Sequence, residues 1–267
     1  MSIRPILRLG QQLKRWPALY HLVEQIYYSL KPAQLSYLIL GTKMREREWA
    51  KRHLAKGNDW NNTQHIGKKD EWVLSYWDSR NHSHRPLLIE KIAAFYPFSS
   101  VLEIGCNCGP NLYLIAKRFP DIEIKGIDVN VRAIEKGNEF FTVEGISNVM
   151  LAVGKADELE QFKYKSFDIV FTDAVLIYVG RDKIKAIIQD MLRVSRKALI
   201  LVEWHSSEST PEGSMFDVVH YPGQWIRDYV SLLKQFVPEQ QIHVTKIPED
   251  KWPGVWKEVG YVIEVIV

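Results

Sequence analysis

Apolar residues recur at helical spacing over Leu19, Leu22, Val23, Ile26, Tyr27 and Leu30, a pattern that predicts an amphipathic helix stopped or kinked by Pro32. A second amphipathic piece is expected over 35–40, ending at Gly41, and a charged helix over 43–56. Residues 57–70, with Gly57, Asn58, Asn61, Asn62 and Thr63, read as loop. They divide a helical N-terminal extension, 1–70, from a second domain, 71–267. A helix over about 71–95 then leads into a regular alternation. Short apolar runs predict strands at 100–104, 122–128, 148–153, 167–173 and 197–204, with helices at 110–119, 131–144, 182–194 and 222–236. Two last runs, 241–247 and 260–267, lack a convincing helix between them and read as an antiparallel, hairpin-like edge. The alternation predicts an α/β fold: a doubly wound, mainly parallel seven-stranded sheet whose last strand is antiparallel.

Composition narrows the class. With 46% hydrophobic and 25% charged residues, the chain of 267 residues can bury a large core, which excludes dominant disorder. Only 2 cysteines occur, Cys106 and Cys108, too few and too close for a disulfide framework. They favour a reducing, cytoplasmic setting and read as small side chains in a turn. The net charge of +3 hides a split, because residues 1–56 hold eleven Lys or Arg against three acids, a local +8. No run approaches the ~20 apolar residues of a membrane span.

The chemistry is concentrated in Val101-Leu-Glu-Ile-Gly105-Cys-Asn107-Cys-Gly109-Pro-Asn111-Leu. A buried strand runs into a tight glycine-containing turn, and a helix opens at Pro110, a favoured first-turn proline. Such a turn lets backbone approach a ligand at the carboxyl end of a strand. Asp128 ends the second strand, where a carboxylate can accept hydrogen bonds from a ribose diol. Together these point to an adenosine-containing cofactor. A nicotinamide fingerprint needs G-x-G-x-x-G, whereas glycines stand only at 105 and 109, and Tyr178 and Lys183 miss the Tyr-x-x-x-Lys spacing by one.

On those residues the chain resembles the class I S-adenosylmethionine-dependent methyltransferases over roughly 72–267. Glu103, Gly105 and Gly109 match the acid-x-Gly-x-Gly-x-Gly turn; Asn107 replaces the middle glycine and is the non-glycine residue best able to take positive φ. The resemblance implies S-adenosylmethionine as cofactor, with Gly105 and its neighbours under the methionine part and Asp128 on the ribose. It implies Val129 beside the adenine and Ala156 and Asp157 in the adenine loop, where Lys155 stands in place of the family's frequent acid. Asp173 would end the fourth strand over the reactive centre. Tyr76 and Arg85 would cover the methionine end, Arg85 pairing with its carboxylate.

The methyl acceptor is less defined. No Asn/Asp-Pro-Pro-Tyr motif of amide and base methylation occurs, since the equivalent position reads Thr172-Asp173-Ala174-Val175, and no cysteine follows the fourth or fifth strand for C5 methylation of RNA. Candidate general bases are His205, Glu203 and Tyr178, His205 being the sharpest because neutral imidazole suits that role near pH 7. His220 and Tyr221 could line an acceptor pocket, as could Trp204, Trp225, Trp252 and Trp256. His82 and His84 invite a metal reading but lack a third ligand, so no metal is expected. The basic arm admits three readings: a cap on the active site, peripheral contact with an anionic membrane, and RNA binding. The expected activity is methyl transfer to an oxygen or nitrogen of a small-molecule, sugar or lipid-linked acceptor. The alternatives are a cofactor-binding protein without turnover and an RNA methyltransferase using the arm.

Overall fold

The computed structural model describes residues 46–47, 71–213 and 224–267. The predicted extension over 1–70 therefore lies outside the described residues apart from Glu46 and Arg47, which are helical, and so do His220 and Tyr221. Seven strands form one sheet in the order β3-β2-β1-β4-β5-β7-β6. They are β1 (Ser100–Ile104), β2 (Glu123–Asp128), β3 (Val149–Val153), β4 (Phe167–Asp173), β5 (Ser195–Trp204), β6 (Ile242–Lys246) and β7 (Gly260–Ile266). Each lies within two residues of its predicted run. β1 pairs in parallel with β2 and β4, β2 in parallel with β3, and β6 antiparallel with β7.

The sequence explains the central strands. All five residues of β1 and all seven of β4 are buried, as expected for parallel strands covered on both faces, and both are nearly continuous apolar runs. The exceptions are Ser100, Glu103, Asp168, Thr172 and Asp173. Asp168 is satisfied at the strand's start, where its carboxylate accepts from Ser99 N at 2.7 Å and Arg196 Nη1 at 2.8 Å. The acids at the other ends, Glu103 and Asp173, belong to the site.

The expected helix over 71–95 is broken in two: α1 (Glu71–Asp78), a 3-10 turn (Ser79–Asn81), and α2 (His84–Ala93). Arg85 holds the break, its Nε donating to Ser79 O at 2.8 Å and its Nη2 to Ser79 Oγ at 2.8 Å. The helix α3 (Pro110–Arg118) starts at its proline, and α4 (Val131–Val143) is capped by Asn130, whose Oδ1 accepts from Ala133 N at 3.0 Å. α5 (Ile184–Val194) follows the prediction closely; α6 is shorter, Tyr229–Leu233, behind an Asp228 cap. A single turn, α7 (Trp256–Val259), stands between β6 and β7 where no helix was expected. It is too short to leave a periodic signal.

The chain packs as two compact units. Of the described residues, one comprises those within 46–173 and 190–200 with Val267; the other holds those within 174–189 and 201–266. The first contains β1 to β4 and the helices α1 to α4. The second contains β6, β7, α6 and α7.

Candidate functional site

In the first unit, the turn after β1 is built by three residues with left-handed backbone: Gly105 (φ 79°), Asn107 (φ 52°) and Gly109 (φ 85°). Gly105 N and Cys106 N both donate to Ile127 O, at 2.7 and 3.0 Å, which ties the turn to β2. Asn107 takes the conformation the missing glycine would have had, and its own Oδ1 accepts from Cys108 N at 2.8 Å. Gly109 has no substitute, because a Cβ there would lie 2.7 Å from Phe141 Cε2. Cys106 and Cys108 are buried among Leu112, Gly126 and Val73, and burial pushes both thiols upward, so they stay protonated packing groups.

Asp128, half-buried at the end of β2, accepts from Asn107 N at 2.9 Å and from Asn130 N at 2.8 Å, with Val129 N a further donor. Its carboxylate is thus fixed by three backbone N–H groups while acceptor capacity remains for a diol. Burial raises its pKa against those three donors. Val129, Ala156 and Asp157 are half-buried, and Gly154 N donates to Asp128 O at 3.0 Å, joining that loop to β2. Lys155 pairs with Glu158 at 2.7 Å.

The most concentrated chemistry lies between α2, α3 and the ends of β1 and β4. Asp173 Oδ2 accepts from His84 Nε2 (2.9 Å), Asn111 Nδ2 (3.0 Å) and Arg85 Nη1 (3.2 Å). Asn111 Nδ2 also donates to Glu103 Oε1 at 2.7 Å, and its Oδ1 accepts from Arg85 Nη1 at 2.6 Å. Burial opposes ionisation of Asp173, yet His84, Arg85 and Asn111 outweigh it and hold the carboxyl well below the usual range. Glu103 goes the other way. Burial pushes it up to about 8, helped by the charge of Asp173 and opposed by Asn111 and Arg85. Tyr76 lies against Arg85, ring to guanidinium 5.7 Å, and burial raises its phenol far above the usual value.

Two acceptors in this cluster have no partner: Glu103 Oε2 and Asp173 Oδ1 are buried and make no hydrogen bond. Orphaned carboxylate oxygens are costly in a dry interior. Their nearest common neighbour, the Asn111 amide, touches both acids. A ligand ammonium would satisfy both atoms, and the positive-φ turn and Asp128 would receive the rest of an adenosyl amino acid. The residues present fit such a group. Arg85 is only 1% exposed and commits donors to Ser79, Asn111 and Asp173. Its evident task is to hold Asp173, with little of Nη2 left for a ligand carboxylate.

The three candidate bases lie in the second unit. Glu203 is fully buried, and its Oε1 accepts from Val175 N (3.1 Å) and Leu176 N (2.9 Å), its Oε2 from Ile177 N (3.1 Å). Those bonds hold the reversal that follows Ala174, whose φ of 60° is uncommon for a residue with a Cβ. Glu203 is thereby a structural anchor rather than an exposed base. His205 Nδ1 lies 3.1 Å from Arg227 O and 3.2 Å from Tyr229 N, with the ring edge-on to Tyr261, and burial lowers its pKa. Tyr178 is half-buried, its hydroxyl accepting from Gln224 Nε2 at 3.1 Å. Trp204, Trp225, Trp252 and Trp256 are all buried, and Trp252 stacks on Trp256 at 3.7 Å, so they pack this unit.

Sequence reasoning left out Asn111 as a site residue and read His84 only with His82. Asn111 was visible as a polar residue in the first turn of a helix after the motif; the meeting of His84 with Asp173, 89 residues away, had no local signal. His82 and His84 face each other through their Nδ1 atoms at 2.6 Å, which leaves no space for an ion between them.

Residues 101–198 match the model of a methyltransferase domain family. Among curated relatives, an uncharacterized protein of Haemophilus influenzae is 25% identical over 162 residues, 60% of this chain and 57% of that one. A ribosomal RNA small subunit methyltransferase C of Buchnera aphidicola is 28% identical over 144 residues, 54% of this chain and 42% of its own. The chain therefore spans about half the length of the curated relatives it matches. In fold, it is similar to the magnesium protoporphyrin IX methyltransferase of Synechocystis PCC 6803 with bound S-adenosylmethionine, at TM-score 0.54 and 12% identity, over 84% of this chain and 96% of that one.

Proposed function

We propose that this chain, which carries a Rossmann-like methyltransferase domain of the S-adenosylmethionine-dependent class, moves the methyl group of S-adenosylmethionine to an oxygen or nitrogen of a small-molecule, sugar or lipid-linked acceptor. A hydroxyl of a saccharide or lipid-linked intermediate is the leading acceptor. The observation that carries the cofactor reading is the pair of orphaned buried oxygens, Glu103 Oε2 and Asp173 Oδ1, beside a turn with left-handed backbone at 105, 107 and 109.

When bound, S-adenosylmethionine supplies a methyl group on a sulfonium centre, which needs a nucleophile in line behind it. Glu103 and Asp173 receive the ammonium group, and Asn111 and Arg85 keep the two acids from turning away. Gly105, Asn107 and Gly109 let the backbone pass close beneath the amino-acid part, and Asp128 accepts from the ribose hydroxyls. Val129, Ala156 and Asp157 flank the adenine. The contribution of such a site is largely orientation and exclusion of water. Residues 1–56, with their local charge of +8, would bring the domain to an anionic surface where a lipid-linked acceptor lies. Among the described residues no helix is long and apolar enough to cross a membrane.

The test is transfer of labelled methyl from S-adenosylmethionine by the full chain to a panel of saccharides, lipid-linked sugars and RNA. Labelled saccharide or lipid-linked product supports the reading. Label on RNA alone would replace it with a nucleic-acid methyltransferase. Cofactor binding with no label on any acceptor would favour a binding protein without turnover.

A further inference from the structure

Helix α1 turns two neighbouring strips of side chains inward. Val73 and Trp77, four residues apart, form the first. Val73 is fully buried with its carbonyl oxygen 3.6 Å from Cys108 Sγ, and Trp77 packs on Tyr113, Phe140 and Phe141. Trp72 and Tyr76 form the second strip, and Tyr76 shows where it leads. Its ring lies 5.7 Å from the Arg85 guanidinium, and its phenol feels the charges of Arg85, Asp173 and Glu103. Leu74, 49% exposed, marks the outer side of the helix. Trp72 thus precedes Tyr76 by about 6 Å along the strip that faces the two acids. It also adjoins Val73, whose carbonyl meets the turn after β1.

Trp72 is half-buried, but its indole Nε1 is buried and makes no hydrogen bond. An indole N–H only donates, so what it lacks is an acceptor. Glu103 Oε2 and Asp173 Oδ1 have the opposite need. An α-amino acid carries both complements, an ammonium and a carboxylate joined through one carbon. An ammonium held by the two acids brings its carboxylate along, and that group needs a donor. Arg85, the residue expected to supply it, is committed to Ser79, Asn111 and Asp173.

We propose that the Trp72 indole N–H donates to the α-carboxylate of the adenosyl amino acid and makes the site selective for a ligand that carries this group. This rests on the cofactor reading above, with Glu103 and Asp173 receiving the ammonium group. Arg85 keeps Asp173 in place, while Trp72 recognises the carboxylate by a directed bond from a neutral group. A ligand without the carboxylate leaves the N–H buried and unsatisfied, and a site built around such a donor discriminates against it.

The experiment is calorimetric titration of the full chain and of Trp72→Phe, at a single pH, with S-adenosylhomocysteine and with its decarboxylated analogue. The analogue retains the amino group, the thioether and the adenosine; phenylalanine retains an aromatic ring and removes the N–H. Trp72→Phe should bind S-adenosylhomocysteine about 10- to 100-fold more weakly, the loss expected for a hydrogen bond to a charged group, and the analogue as well as the unaltered chain does. Equal loss for both ligands would reduce Trp72 to packing, and no loss for either would remove it from the site; each result overturns the proposal. An unaltered chain that binds neither ligand would defeat the cofactor reading itself, and the proposal with it. A second readout needs no variant. In the 15N-labelled full chain the assigned Trp72 indole N–H should move downfield with S-adenosylhomocysteine and not with the analogue. A resonance unmoved by either, or moved alike by both, would refute the bond.

Discussion

If Glu103 receives the cofactor's ammonium group as proposed, cofactor binding should be sensitive to pH in a window that isolates this one side chain. Its carboxyl is 2% exposed and pushed from 4.5 up to about 8, so near pH 7 it is mostly neutral. An ammonium group against Oε2 requires the carboxylate, and binding must release its proton. Between pH 6 and pH 8 the ionised fraction grows about 50-fold for a group titrating near 8, equivalent to about 2 kcal/mol of apparent affinity. Other site groups titrate elsewhere: His82 and His84 are shifted down by burial, Tyr76 is shifted up, and Asp173 stays ionised. Calorimetry of S-adenosylhomocysteine in two buffers of different ionisation enthalpy reads both the affinity and the proton count. Close to one proton should leave per ligand at pH 6.5, and Glu103→Gln should abolish both the release and the slope. The fold is linked with the opposite sign. A carboxyl raised in the folded state contributes stability that is complete below pH 4.5 and lost as pH rises through about 8. The shift corresponds to about 5 kcal/mol, so the unliganded chain should become easier to unfold in urea from pH 5 to pH 8, and Glu103→Gln should be flatter. An affinity independent of pH with no proton released would refute the reasoning.

Three further substitutions separate the site from its supports. Asp128→Ala should weaken cofactor binding by about 1–3 kcal/mol, the loss expected when charged hydrogen bonds are removed; an unchanged Kd would take Asp128 out of the site. Glu203→Ala orphans three backbone N–H groups and should cost about 3 kcal/mol of stability in urea, with cofactor affinity unaltered. Full stability with lost turnover would instead return Glu203 to the role of base. Ala174→Gly should leave stability unchanged or raise it by up to about 1 kcal/mol, because φ is 60° there. The loss usual for alanine to glycine, seen as a lower Tm, would show that the reversal after β4 is unstrained.

The strands were legible because each is a short apolar run bounded by polar or glycine residues, and β1 with its turn was legible down to the positions of positive φ. Asn107 fits there because an asparagine can both take φ 52° and cap the next amide itself. The break at Ser79–Asn81 was not legible. Residues 71–95 carry one continuous helical pattern, and the break is held by Arg85 reaching back to Ser79, a side-chain contact that periodicity does not record. The same holds for the candidate site: Glu103 and Asp128 stand out in the sequence at strand ends, whereas the grouping of His84, Arg85 and Asn111 on Asp173 joins segments 62 to 89 residues apart. Glu203 was misleading for a related reason. A strand-end acid is a natural base until the three amides it anchors are seen.

The central claim is that residues 103–128 with Asp173 form a site for an adenosyl amino acid. Calorimetric titration of the full chain with S-adenosylmethionine, and separately with NAD, tests it most directly. The account predicts one S-adenosylmethionine bound per chain, with affinity reduced by Asp128→Ala and no comparable binding of NAD. Tight binding of NAD with none of S-adenosylmethionine would contradict it.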